Sequence, residues 1–332
     1  MQRIAWPFGL AMTDLTRFAI APHLTQPLSC VYYTLRWHTP RQTITVPEHG
    51  DRQAGLLPVL AFLLPQRKEY MSDKIVYFDC FSGASGNMLL GALLDAGLPL
   101  DELQADLDKL GLTGYHLHVE RQVKQGISGT YLDVDDTGQE HPVRNLDSVR
   151  RILQASTLSS AVQARSEAVF TRLAEAEARV HGVAIEEVHF HEIGAVDTLV
   201  DIVGVVSALE RLGIGQVYAS PLPTGKGSVK TQHGRLPLPA PATLALLAAV
   251  GAPLLPSPID VELVTPTGAA LLAELATFVQ PAMRIRAVGY GLGKKDLPWA
   301  NVLRVWIGEP LPVAGEIHVH DQHHNHEHHG DS

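Results

Sequence analysis

The stretch VHFHEIGAVDTLVD, residues 188–201, holds two imidazoles and three carboxylates within thirteen positions. His189 and His191 are two apart, so on an extended segment both rings face the same side. Glu192 follows at once, and Gly194 permits a sharp turn. Helical periodicity from Val196 onward then sets Asp197 and Asp201 four residues apart on one helix face. Imidazole together with carboxylate is a donor set for zinc, nickel, manganese or iron, and spacing alone does not choose among them. The competing reading has the acids complementing the helix dipole while the histidines make ordinary hydrogen bonds. A His-x-His-Glu group beside paired acids favours the metal.

Three further segments carry chemistry. FDCFSGASGNM, residues 78–88, joins a strand to a helix through two glycines and two serines. Backbone N–H groups around Ser82, Gly83, Ser85 and Gly86, with the positive helix end, form a candidate anion cradle, although the pattern is neither a Walker loop nor a dinucleotide fingerprint. Asp79 closes the strand, where its carboxylate can reach a metal or a substrate hydroxyl, whereas Cys80 reads as a small buried hydrophobe. The Gly/Pro-rich loop and helix at 220–247 hold Lys226, Lys230, His233 and Arg235, cations that invite a phosphate or carboxylate; a solvated surface loop is the alternative. The C-terminus gathers seven of the 17 histidines, His318, His320, His323, His324, His326, His328 and His329, in a composition that serves metal contact and builds no core.

Strands and helices alternate between these segments. KIVYFDC reads as a buried strand, 87–96 and 100–110 as helices, and 115–135 as a β-hairpin around Gln125 and Gly126. Residues 144–155 and 159–180 read as helices, and the pattern continues to about 307. The expected fold is α+β, a mixed α/β core from about residue 71 to 308 with unstructured ends. Three regions follow: a leader at 1–70, a core domain at 71–310 and a His-rich tail at 311–332. The leader has seven basic and four acidic residues, recurrent prolines and no periodicity of useful length. It reads as an unstructured tail or a mis-assigned start ahead of Met71, with a targeting or partner-binding arm as the functional alternative.

Composition narrows the function classes. The 332 residues carry a net charge of −9, without a basic stripe that would follow a phosphate backbone, so nucleic acid is not an expected partner. The longest apolar run, 55–64, is too short for roughly 30 Å of hydrocarbon, so no membrane span is expected. Two sparse cysteines, Cys30 and Cys80, fit a reducing, cytoplasmic setting.

MSDKIVYFDCFSGASGNMLLGALLDAG, HFHEIGAVDTLVDIVG, SPLPTGKGSVKTQHGRLPLPAPATLALL, ELVTPTGAALL and GYGLGKKDLPWANVLRV occur in this order. In these five blocks, from 71 to about 308, the chain resembles the LarC family of nickel insertion proteins. The resemblance implies a cyclometallation: nickel(II) replaces a ring-carbon proton of pyridinium-3,5-bisthiocarboxylic acid mononucleotide and is clamped by two thiocarboxylate sulfurs, giving the nickel-pincer cofactor of lactate racemase. Nickel would ride on exchangeable, harder ligands, for which His189, His191, Glu192 and Asp197 are suited. His191, Glu192 and Asp197 are the candidates for a catalytic role, since a neutral histidine or a carboxylate can accept the carbon-bound proton. The family also implies CTP with magnesium or manganese, associated with a second domain, so the chain resembles the N-terminal module, with a separately encoded C-terminal part as a possible partner. A homo-oligomer is expected. Two departures stand out: Asn87 where the family has Asp, and a lone His141, between Glu140 and Pro142, where it has a histidine run. Readings from other classes are a nickel store or metallochaperone acting through the tail, and a metal-dependent hydrolase, for which no Gly-x-Ser-x-Gly or His-Glu-x-x-His motif is present.

Overall fold

A computed structural model describes residues 32–35, 44–47, 74–136, 145–188, 190, 196–231 and 234–312. The chain divides into two units, Met1–Glu69 and Tyr70–Ser332. In the first, β1 (Tyr32–Leu35) pairs antiparallel with β2 (Ile44–Pro47). YYTL and ITVP are mostly aromatic or β-branched, which favours extended backbone. Four residues are too few to show alternation, so the sequence reading finds no element there.

The second unit opens with β3 (Lys74–Asp79), α1 (Gly86–Asp95) and α2 (Leu100–Asp108), followed by the hairpin of β4 (Tyr115–Lys124) and β5 (Ile127–Asp136). Gln125 and Gly126 both take positive φ, 49° and 83°, the two-residue turn whose twist matches the flanking strands. Then come α3 (Leu146–Ala155), α4 (Ser160–His181), α5 (Val196–Arg211), β6 (Ile214–Ala219), β7 (Leu222–Thr224), β8 (Ser228–Thr231), β9 (Gly234–Pro237), α6 (Pro241–Ala249), β10 (Leu254–Pro256), α7 (Pro266–Leu275), β11 (Ala276–Thr277), β12 (Met283–Leu292) and β13 (Val302–Pro310).

Seven of these strands form one mixed sheet in the order β11-β6-β3-β13-β12-β5-β4, so the fold is α+β as expected. β3 runs parallel to β6 and antiparallel to β13, and β12 runs parallel to β5. The C-terminal β12/β13 pair is therefore inserted between β3 and the β4/β5 hairpin. α1 lies against β12 and β5. A Cβ on Gly291 would sit 1.9 Å from the Met88 carbonyl oxygen, so glycine lets helix and sheet backbones meet here.

α5 is apolar almost all round and is buried along its length, as a helix of that composition must be. Its last turn is tied to α2. Arg211 Nε and Nη2 donate to Asp106 at 2.5 and 3.0 Å, and Nη1 donates to Glu102 at 2.7 Å. Burial raises the Asp106 carboxyl, but hydrogen bonds from Arg211 and Lys109 outweigh it and hold the group below its usual range. This anchor lies at the end of α5 opposite the first turns, where Asp197 and Asp201 sit. Among the described residues, no helix is long and apolar enough to cross a membrane.

Candidate functional site

First-turn residues of four helices line one cleft of about 680 Å³. α1 contributes Gly86 and Asn87 with their N-cap Ser85; α5 contributes Asp197 and Thr198, with Asp201 one turn on. α6 contributes Pro241 and Ala242, and α7 contributes Pro266 and Thr267 with N-cap Thr265. Thr265 Oγ1 accepts from the Gly268 N–H at 3.2 Å, and Pro266 occupies the first helical position, where its missing N–H costs nothing. The remaining walls come from Asp133 and Val134 of β5, Glu177 and His181 at the end of α4, Phe190, Glu262, and the β8/β9 hairpin with Lys230.

Two kinds of electrostatics meet here. Helix N-termini present partial positive charge and suit anions. Against them stand five carboxylates, Asp133, Glu177, Asp197, Asp201 and Glu262, with Lys230 as the lysine of the described lining. A cleft that offers carboxylates to a cation beside amide dipoles for an anion suits a ligand pair of opposite charge.

Asp201 is the extreme case. A Cβ on Gly86 would lie 2.3 Å from Asp201 Oδ2, so glycine at the start of α1 makes room for this carboxyl. The Asn87 backbone N–H supports it. Its Oδ1 is buried and has no hydrogen-bond partner among the described residues. Burial, then the negative charges of Asp197 and Asp133, raise its carboxyl well above the usual carboxylate range. An orphaned buried carboxylate oxygen is a donor a cation would satisfy. Asp197, more exposed, accepts from the Thr198 N–H at 2.6 Å.

Of the residues expected from sequence, the cleft gathers Ser85, Gly86, Asp197, Asp201 and Lys230. Others lie apart. Asp79 does not line the cleft; its side chain pairs with Arg304, whose Nε donates to Oδ2 at 2.8 Å and whose Nη2 also contacts Oδ2. Ser82 Oγ donates to the Ala300 carbonyl at 2.7 Å. The Gly83 and Ala84 amides are spent on the carbonyls of Cys80 and Leu263, which narrows the anion cradle to 85–87. Lys226 is exposed and outside the cleft lining. Cys80 is fully buried, and burial followed by the Asp79 charge pushes its thiol up, so it stays protonated. His189, His191, Glu192, His233, His141 and the seven tail histidines lie outside the described residues. Phe190, the sequence neighbour of His189 and His191, is a wall of the cleft. Among the described residues, no three His, Cys, Asp or Glu form a group that could hold a metal ion.

The sequence reading passes over Asp133, Glu177, His181 and Glu262. Glu177 and His181 carry a signal, a pair four residues apart on one helix, with His181 Nε2 3.4 Å from Glu177 Oε2. Asn87 lines the cleft as a neutral group: Ser85 Oγ donates to its Oδ1 at 2.6 Å, and its Nδ2 donates to the Leu132 carbonyl at 3.1 Å.

Comparison with known proteins gives the same direction. A pyridinium-3,5-bisthiocarboxylic acid mononucleotide nickel insertion protein of Desulfitobacterium hafniense (strain DSM 10664 / DCB-2) is 50% identical over 240 residues, 71% of this chain and 58% of that protein. Relatives from Thermomicrobium roseum and Roseiflexus castenholzii, named provisionally as nickel insertion proteins, are 54% and 53% identical over 74% and 71% of this chain, and each is covered over 60% of its own length. The chain thus spans about 60% of the length of these curated relatives. No solved structure matches it significantly. The nickel insertion protein family matches residues 76–330, more than three quarters of the sequence, and the chain belongs to that family.

Proposed function

We propose that this chain takes part in nickel insertion into pyridinium-3,5-bisthiocarboxylic acid mononucleotide. The observation that carries the reading is the cleft itself, where carboxylates for a cation and four helix N-termini for an anion share one space. Nickel(II) is the metal substrate. His189, His191, Glu192, Asp197 and Asp201 would hold it on hard, exchangeable donors that yield it to thiocarboxylate sulfur. The 85–87 turn and Lys230 would receive the anionic groups of the mononucleotide. Nickel–carbon bond formation releases the ring proton, and His191, Glu192 or Asp197 is placed in the sequence to accept it. The reaction is lyase-type, with CTP and magnesium or manganese associated with the further 40% of the relatives' length, in a cytoplasmic homo-oligomer.

The test is incubation with nickel, CTP, magnesium or manganese and the sulfur-bearing mononucleotide, with and without the separately supplied C-terminal portion of a relative. Mass detection of the nickelated product supports the reading, and His191→Ala should abolish product while changing the unfolding midpoint little. Nickel retained without product under both conditions, and released on removal of residues 316–332, would replace insertion by storage.

A further inference from the structure

His116, His118 and Glu120 alternate along β4 on the face opposite buried Leu117. The antiparallel register sets His116 opposite Asp135 and His118 opposite Asp133 on β5. Residues paired in this way hold their Cβ atoms about 5 Å apart, and successive rungs on one face are about 7 Å apart. The hairpin thus carries a ladder of two imidazole–carboxylate rungs. Glu120 flanks the second, with its Oε1 3.4 Å from His118 Nε2. Both histidines are exposed. Asp133, on the second rung, is also a wall of the cleft, where its charge reaches Asp201. It accepts from the Tyr131 hydroxyl at 3.0 Å and from Lys294 Nζ at 2.7 Å.

We propose that this ladder is a docking track for a divalent transition metal, on which the ion lands at His116 with Asp135 or at His118 with Glu120 and passes by way of Asp133 into the cleft. The inference rests on the nickel-handling reading of the cleft and adds its route of entry. Imidazole and carboxylate suit nickel, whereas magnesium and calcium prefer all-oxygen sites. Each rung offers two protein donors, an imidazole and a carboxylate, so the rest of an ion's coordination stays with water and is open to exchange. That property serves transfer. The Lys294 ammonium holds the Asp133 carboxylate in place, and an arriving dication takes over its charge. The competing account treats the ladder as a charged edge that discourages pairing with another strand, β4 being the sheet's terminal strand.

The two accounts part in a histidine-modification experiment on the full chain. Diethyl pyrocarbonate labels exposed imidazoles, and mass mapping reads each position separately, so the tail does not obscure the hairpin. With nickel alone at ten times its half-saturating concentration, mass action slows modification of His116 and His118 about 11-fold, and magnesium leaves both rates unchanged. In Asp135→Asn, His116 should lose most of its nickel protection while keeping its metal-free reactivity. Equal rates with and without nickel at His116 and His118, alongside protection of other histidines, would overturn the track and leave nickel handling standing. Absence of protection at every histidine would overturn both.

Discussion

Asp201→Asn probes the floor of the cleft through stability. The side chain faces Asp197 of its own helix and Asp133 of β5, accepts from the Asn87 N–H of α1, and leaves Oδ1 without a partner among the described residues. Its folded carboxyl is raised well above the unfolded value of roughly 3.9, so the neutral form is the one the fold accepts. The stability this group contributes is therefore complete below about pH 3.9 and is lost as pH rises through the folded value. Asparagine has nearly the same shape and stays neutral throughout, so the variant escapes that loss. In metal-free buffer the two proteins should have equal stability near pH 4. At pH 8 the variant should be more stable by about 1–3 kcal/mol, the cost of a buried polar atom without its partner. For a unit of this size that is a rise of roughly 2–4 °C in midpoint per kcal/mol. Thermal and urea unfolding across a pH series measure it. Added nickel should narrow the gap at pH 8, because a cation satisfies the wild-type carboxylate. A variant less stable than wild type at pH 8, or a difference independent of pH, would refute the reasoning by showing a charged and compensated Asp201.

Two other substitutions test the elements that hold the cleft open. Gly86→Ala places a methyl 2.3 Å from Asp201 Oδ2 and 2.5 Å from its Cβ, an atom fixed to α5 that cannot swing away. Overpacking of about 1–3 kcal/mol should exceed the helix-propensity gain of up to about 1 kcal/mol, so chemical denaturation should show a net loss; a stabilised variant would mean that α1 shifts freely. Arg211→Ala leaves Asp106 buried with Lys109 as its remaining cation among the described contacts, at a cost of about 3 kcal/mol at pH 7. Because the Asp106 carboxyl is depressed in the fold, that contribution is present above about pH 3.9 and fades as pH falls through the folded value, so the two proteins' urea midpoints should converge in acid.

How much of this was legible beforehand depends on how local each feature is. The start of α5 is written in its own residues, since Gly194 precedes an unbroken helical period, and that period is what sets Asp197 and Asp201 on one helix face, the face that lines the cleft. The Gln125 and Gly126 turn is equally local. From sequence, Asp79 reads as a contact to a metal or a substrate hydroxyl because its strand ends at a glycine-rich loop. Its actual partner, Arg304, lies 225 residues away and meets it only through the β3/β13 register. No period in either segment announces that pairing. Ser82 and Gly83 read as part of an anion cradle for the same reason, whereas the Ser82 hydroxyl is taken by the Ala300 carbonyl, equally remote in sequence, and the Gly83 amide by that of Cys80.

The cleft shows the same limit from the other side. Asp133, Glu177 and Glu262 stand on separate segments, and each alone reads as an ordinary surface acid. Helix packing brings in Glu177, and sheet order brings in Asp133: β12 and β13, the last strands, enter between β3 and β5, and α1 docks on β12 and β5 at once. That docking sets Gly86 and Asn87 against Asp201 and brings Asp133 within its electrostatic reach. The Asp133 and Asp201 carboxylates and the start of α1 therefore depend on the same docking of α1 on the sheet. A lesion on the β12 side of that contact, far in sequence from any proposed ligand, should weaken the binding of cation and anion together, whereas substitution of His189, His191 or Glu192, the proposed metal ligands, should act on the metal alone.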